Sequence, residues 1–72
     1  MMPDNFHEDE KRWIFEQLKK LPLRHRIIAA SGYSSVYEAA YESEQVGQKK
    51  ENKARFAANT RLRKYVGLID KT

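Results

Sequence analysis

The chain has 72 residues, no cysteine and a formal net charge of +4. This length predicts a single domain over residues 1–72, with frayed ends at residues 1–3 and 71–72. The lack of cysteine excludes disulfides and thiolate metal sites, and two histidines are too few for an all-imidazole metal site. No run of about 18 apolar residues and no basic, apolar leader is seen, so we expect a cytoplasmic protein that does not bind a membrane.

The positive charge is concentrated in the last third of the chain. Residues 1–21 and residues 22–46 each have a net charge of −1, whereas residues 47–72 carry eight basic and two acidic side chains, a net charge of +6. This asymmetry predicts that any anionic partner binds near the end of the chain.

Helical periodicity predicts the first helix from Asp4 or Asn5 to Leu21. Asn5 and Glu8 have the spacing of a capping box, and Pro22 ends the helix because proline disfavours a helical conformation in the residue before it. One face of this helix carries the stripe Trp13, Ile14, Gln17, Leu18 and Leu21.

A second helix is predicted from Pro22 to Gly32, since proline favours the first helical position and glycine the residue after a helix. Gly32 could instead lie inside a longer helix. A helix-turn-helix motif over residues 24–43, with Gly32 in the turn, is a further alternative. Its second helix would carry acidic side chains that repel phosphate, namely Glu38, Glu42 and Glu44.

A third helix is predicted from Ser34 or Ser35 to about Gln45, with a capping-box spacing between Ser35 and Glu38. Gly47 is the next expected break, or lies within a longer helix. Tyrosines at a spacing of four residues form a ladder along this segment, which predicts either packing or an interface: Tyr33, Tyr37 and Tyr41.

The fourth and longest helix is predicted from Lys49 to Ile69. Its apolar residues recur at helical spacing and form one buried face. These elements predict an all-α fold, a small three- to four-helix bundle with a longer basic C-terminal helix. The stripe comprises Ala54, Ala58, Leu62, Tyr65, Val66 and Ile69.

Phe56 lies on the basic side of this fourth helix, opposite the apolar stripe. Cations neutralise phosphates and an aromatic ring stacks on a base, so this face is a candidate nucleic-acid surface. Packing of Phe56 under another helix, with a plainly solvated basic face, is the alternative, and exposure of Phe56 discriminates between them. The candidate nucleic-acid-binding residues are Lys49, Lys53, Phe56, Arg63 and Lys64.

A protein-interaction surface is the competing interpretation. Phe56 and the tyrosine ladder, Tyr33, Tyr37 and Tyr41, would then contact a second copy of the chain or a host or phage protein. Catalysis is not expected, because His25 has no recognisable nucleophile partner and no phosphate-binding glycine loop is present. The sequence predicts no cofactor, no metal and no small-molecule substrate.

The segments 21–26, 33–44 and 50–63 resemble small proteins of proteobacterial prophages whose function is unknown. The pattern Glu-Asn-x-Ala-Arg…Asn-Thr-x-Leu-Arg in the last segment carries most of the resemblance. The resemblance implies a bacterial cytoplasm and an accessory phage role, and no specific activity. In the same segment, Asn52, Asn59 and Thr60 are poor helix formers, which predicts that their side chains bind backbone at a neighbouring loop or contact a partner.

Overall fold

The computed structural model describes residues 1–70, and that part of the chain is all-α. Three α-helices follow a 3-10 turn at Glu8–Glu10, so the fold has three long elements where the glycines suggested four. The helices are α1 (Lys11–Lys19), α2 (Leu23–Ser43) and α3 (Gly47–Ile69).

The first helix begins later than the sequence predicted. Asn5 is not part of a capping box with Glu8, because its backbone N–H donates to the hydroxyl of Ser34 instead. His7 caps the 3-10 turn: its Nδ1 accepts a hydrogen bond from the backbone N–H of Asp9 over 3.0 Å. The expected stripe of α1 does form, since Ile14 and Leu18 are buried.

Gly32 lies in the interior of α2, so the predicted break there is wrong and the helix-turn-helix motif is excluded. The 21-residue helix runs through Gly32 with no positive φ angle. The glycine allows a close approach instead, because a Cβ at this position would lie 3.1 Å from Nε of Arg61. The predicted cap at Ser35 is wrong for the same reason, since Ser35 is a mid-helix residue.

Gly47 marks a true boundary, and it is the first residue of α3. The helix α2 ends at Ser43, and the short loop before Gly47 reverses the chain. The ammonium of Lys50 donates to the backbone carbonyls of Tyr41 and Glu44, which satisfies carbonyl groups left free at the end of α2. One side chain of α3 therefore fixes the turn between the two long helices.

The core lies between the antiparallel pair α2 and α3 and the shorter α1. Alanines at the α2–α3 contact let these two helices pack closely, while large side chains fill the space under α1. The predicted stripe of α3 is confirmed, with Tyr65 and Ile69 at its half-buried edges. The buried residues are Ile14, Leu18, Leu21, Ala29, Ala30, Tyr33, Tyr37, Ala54, Ala58, Leu62 and Val66.

Residues 1–7, here called the N-terminal strap, lie across α2. The backbone N–H groups of Asp4 and Asn5 donate to the Ser34 hydroxyl over 2.7 and 3.2 Å, and Pro3 is buried. Of the residues predicted to fray, 71–72 lie outside the described residues. The strap thus connects the start of the chain to the middle of α2.

Candidate nucleic-acid interface

The side of α3 that points away from the core carries all of the predicted nucleic-acid-binding residues. At about 100° per residue they fall opposite the buried stripe, and each of them is exposed. With a rise of about 1.5 Å per residue they extend over roughly 22 Å of helix. This surface, the outer face of α3, consists of Lys49, Lys53, Phe56, Arg63 and Lys64.

Phe56 is the most exposed large apolar side chain in the described part of the chain, with 75% of its surface accessible. The packing alternative, in which Phe56 is buried under another helix, is therefore wrong. The Phe56 ring is not needed to hold α3 in place, because the buried stripe of this helix already packs against the core. A benzyl side chain left in water forgoes roughly 2 kcal/mol of burial, which makes Phe56 the residue that most needs an explanation.

The outer face of α3 contains no carboxylate. The one acidic residue within the helix, Glu51, turns toward the core side, where its carboxylate lies 2.6 Å from Nε2 of His7. Asp70 follows the last turn. The cations around Phe56 therefore have no acid on their own face of the helix to offset them.

The four cations of this face differ in their surroundings. Lys53 lies 3.8 Å from a carboxylate oxygen of Glu44, and the guanidinium of Arg63 lies 5.4 Å from the centre of the Trp13 ring. Lys49 and Lys64 make no ion pair with any residue in the range 1–70. Lys49 and Lys64 are thus free to meet an anion, and Trp13 holds Arg63 in a defined orientation.

Two other cations of α3, Arg55 and Lys50, are bound within the fold. Arg55 donates to the carboxylate of Glu10 through Nη2 over 2.6 Å and through Nε over 3.1 Å. This hydrogen bond raises the pKa of Arg55 above its usual value. Lys50 caps α2 through the carbonyls of Tyr41 and Glu44. The net charge of residues 47–72 therefore overstates how many cations a ligand can reach.

Asn59 has a structural role. Its Oδ1 accepts a hydrogen bond from the hydroxyl of Tyr33 over 2.5 Å, which accounts for a poor helix former in the middle of α3. Asn52 is exposed and Thr60 is half-buried, both one turn from Phe56. These two polar side chains border the outer face of α3.

The tyrosine ladder is mostly interior. Tyr33 is 1% exposed and Tyr37 is 8% exposed, and burial raises the pKa of both phenols above the usual value of 10. The rings stack at centroid distances of 6.3 Å (Tyr33–Tyr37) and 6.4 Å (Tyr37–Tyr41). Only Tyr41, 40% exposed, has substantial surface for a partner, and the ammonium of Lys50 already lies 5.4 Å from its ring centre.

His25 is the remaining polar residue with potential chemistry. Its Nδ1 lies 2.8 Å from the hydroxyl of Tyr65, a contact that joins α2 to α3. Within residues 1–70 no three His, Asp or Glu side chains are placed to hold a metal ion. No helix in that part of the chain is long and apolar enough to cross a membrane.

Comparisons of this chain with models of known protein families, with curated proteins and with solved structures found no match.

Proposed function

We propose that the chain is a small non-enzymatic protein that binds nucleic acid through the outer face of α3. The observation that carries this proposal is the exposure of Phe56 on a helix face that has cations and no carboxylate. An exposed aromatic ring among cations combines the two contacts that nucleic acids accept without regard to sequence: stacking and phosphate neutralisation.

The outer face divides these tasks between its residues. Lys49 and Lys64 contact phosphates at its two ends, where neither has an ion-pair partner in the described part of the chain. Phe56 lies between them and stacks on an unpaired base. Stacking requires a base outside a duplex, so single-stranded nucleic acid is the preferred ligand.

Titration of a fluorescently labelled single strand and of the matching duplex, each at several salt concentrations, tests the proposal. Four cations predict that the logarithm of affinity falls with the logarithm of salt concentration, with a slope no steeper than about −3 for the single strand and about −3.6 for the duplex. Absence of binding to either ligand at low salt would exclude the proposal.

Variants separate the two kinds of contact. Lys64→Ala is expected to weaken binding and to reduce the magnitude of the slope by about 1. Phe56→Ala is expected to lower the affinity for the single strand by about tenfold while the slope stays unchanged. Phe15→Ala is the matched control, because Phe15 is a half-exposed aromatic beside a lysine on α1, away from this face.

The exposure of Phe56 also favours a second candidate function, a protein-interaction module or homodimer. Tyr41 is then the ladder residue with surface to contribute, because Tyr33 and Tyr37 are buried in the monomer. Sedimentation of the wild type and of Phe56→Ala discriminates: loss of association in the variant supports this function. A monomer at every concentration in both proteins excludes the homodimer and leaves a host or phage protein as the partner.

The resemblance to prophage proteins supports an accessory role in a bacteriophage, carried out in the bacterial cytoplasm. A small binding protein suits that role, because binding alone can redirect a nucleic acid or a host protein.

A further inference from the structure

A shallow groove runs between α2 and α3, on the side of this helix pair away from α1 and the strap. On α3, Arg55 and Arg63 approach the first turns of α1, and the groove residues lie on the opposite flank of the helix. On α2, the strap binds Ser34, which lies about 160° around the helix from Val36. The groove has a volume of about 490 Å³. This surface, here called the α2–α3 groove, is lined mainly by Val36, Ala57, Arg61, Lys64, Tyr65 and Leu68.

The floor of the α2–α3 groove is apolar and open to water. Leu68 is 67% exposed, and Ile28, which lies one turn before Gly32 on the same side of α2, is 52% exposed. Gly32 and Ala57 have little or no side chain, which leaves a depression between the larger residues. The groove residues of α3 extend over about 16 Å, or about three turns of a helix. The groove therefore has the length and the apolar floor that a short amphipathic helix requires.

Arg61 extends over this floor beside Gly32. A Cβ placed on the glycine would lie 3.1 Å from both Nε and Nη2 of Arg61, so the guanidinium occupies space that a larger residue at position 32 would fill. Neither Arg61 nor Lys64 forms an ion pair with any residue in the range 1–70. The N–H groups of a guanidinium form a fork that matches the two oxygens of a carboxylate. Arg61 thus presents this fork above an apolar floor and has no acidic partner within residues 1–70.

The charge of the groove selects among possible occupants. None of the described residues that line it is acidic. A second copy of the chain would bring two sets of Arg61 and Lys64 together with no carboxylate between them, so like charges oppose self-pairing through this surface. A nucleic acid would match the cations but leave the apolar floor in water. A helix with an apolar stripe and flanking carboxylates complements both the floor and the cations.

We infer that the α2–α3 groove binds an acidic amphipathic helix of another protein. Arg61 then forms a bidentate pair with a carboxylate of that helix, and the apolar stripe of the helix covers Leu68 and Ile28. The bound helix packs as the fourth member of a four-helix bundle. The inference does not depend on nucleic-acid binding, because Arg61 and Gly32 lie outside the outer face of α3. Lys64 borders both surfaces and is left unchanged in the test for that reason.

Fluorescence anisotropy with a labelled peptide of about 12 residues, or three helical turns, tests the inference. The acidic probe carries leucines at helical spacing on one face and glutamates on both sides of them. A second peptide has a lysine in place of each glutamate, and a third has the composition of the acidic probe in an order that gives no apolar face. The acidic probe is expected to bind at least about tenfold more tightly than either of the others.

Two substitutions test the role of the guanidinium. Arg61→Ala is expected to weaken binding of the acidic probe by about tenfold or more, because a hydrogen-bonded charge pair is lost. Gly32→Ala is expected to weaken it as well, because the new Cβ displaces the guanidinium. Circular dichroism verifies that each variant retains the helical content of the wild type.

Matched controls make the same chemical changes outside the groove. Arg12→Ala removes an exposed arginine from α1, and Gly67→Ala adds a Cβ to α3 at a position where nothing lies within 4 Å of it. Both controls are expected to bind the acidic probe as tightly as the wild type does.

The outcomes decide the inference. Preferential binding of the acidic probe that Arg61→Ala and Gly32→Ala weaken supports it. Absence of binding up to about 1 mM, equal binding of the acidic and lysine peptides, or binding that is insensitive to Arg61→Ala overturns it. If the acidic probe does not bind and Arg61→Ala weakens binding of single-stranded DNA, the groove binds phosphates and the inference is wrong. A wild-type dimer in sedimentation that Leu68→Ala dissociates also overturns it, because a second copy then covers the groove.

Discussion

The hydroxyl of Tyr33 donates a hydrogen bond of 2.5 Å to Oδ1 of Asn59, at the middle of the contact between α2 and α3. Tyr33 is 1% exposed, so removal of that acceptor leaves a buried tyrosine hydroxyl without its protein partner. We expect Asn59→Ala to lower the free energy of unfolding by about 1–3 kcal/mol, and Tyr33→Phe by about 1 kcal/mol. Urea denaturation of both variants and of the double variant measures the coupling, and purely additive losses would contradict it.

The same tyrosine makes stability depend on alkaline pH. Burial raises the pKa of the Tyr33 phenol well above its usual value of 10, with a further contribution from the nearby carboxylate of Glu10. A phenol whose pKa is higher in the folded state stabilises the fold fully below pH 10 and loses that contribution as the pH rises above 10. We expect the free energy of unfolding to fall above pH 10 in the wild type.

Tyr33→Phe is the variant that isolates this effect, because lysine deprotonation affects it and the wild type alike. Its alkaline loss of stability should be smaller than that of the wild type in denaturation curves from pH 9 to pH 12. Parallel losses in the two proteins would show that folding does not raise the pKa of Tyr33.

Gly32→Ala is expected to stabilise the protein. Alanine is favoured over glycine in a helix interior by about 0.5–1 kcal/mol, and the atoms that meet the new Cβ at 3.1 Å belong to the flexible end of Arg61. That side chain is exposed and can shift into solvent. Thermal unfolding measures the gain.

Gly67→Ala provides the matched control for that substitution, because nothing lies within 4 Å of a Cβ placed there. A gain at Gly67 combined with a loss at Gly32 would show that Arg61 is held firmly over α2. A gain at both positions is the expected result.

Lys50→Met is expected to destabilise the turn between α2 and α3. It keeps the aliphatic stem and removes the ammonium that donates to the carbonyls of Tyr41 and Glu44. The loss should be about 0.5–1 kcal/mol, since a cation at a helix C-terminus contributes about this much. Lys49→Met, one residue earlier and exposed, controls for the removal of charge.

Periodicity predicted the buried faces well and helix boundaries less well. The stripes of α1 and α3 were recovered, because a single apolar face at helical spacing has no other stable arrangement than burial against a neighbouring helix. The predicted helix end at Gly32 was wrong, because glycine permits a helix to break but does not cause a break. In this fold the side chain of Arg61 lies in the space beside Gly32 that a larger residue would fill.

The candidate site shows the same division. Sequence reasoning placed Phe56 on the side of α3 away from the core, and its exposure agrees with that placement. The roles of Arg55 and Lys50 were not predicted. Their partners, Glu10 and Tyr41, are distant in the sequence, and no local pattern predicts that these residues come together.

The N-terminal strap has a consequence for the order in which the chain folds. Contacts between α2 and α3 can form outward from the short loop before Gly47, whereas the hydrogen bonds from Asp4 and Asn5 to Ser34 close a loop of about 30 residues and Glu10 reaches Arg55 across 45 positions. Local contacts form early in folding, so the strap and α1 should dock after the α2–α3 pair. The substitution Ser34→Ala removes these hydrogen bonds. It should accelerate unfolding and leave the folding rate almost unchanged, because a contact that forms after the transition state affects mainly the unfolding rate.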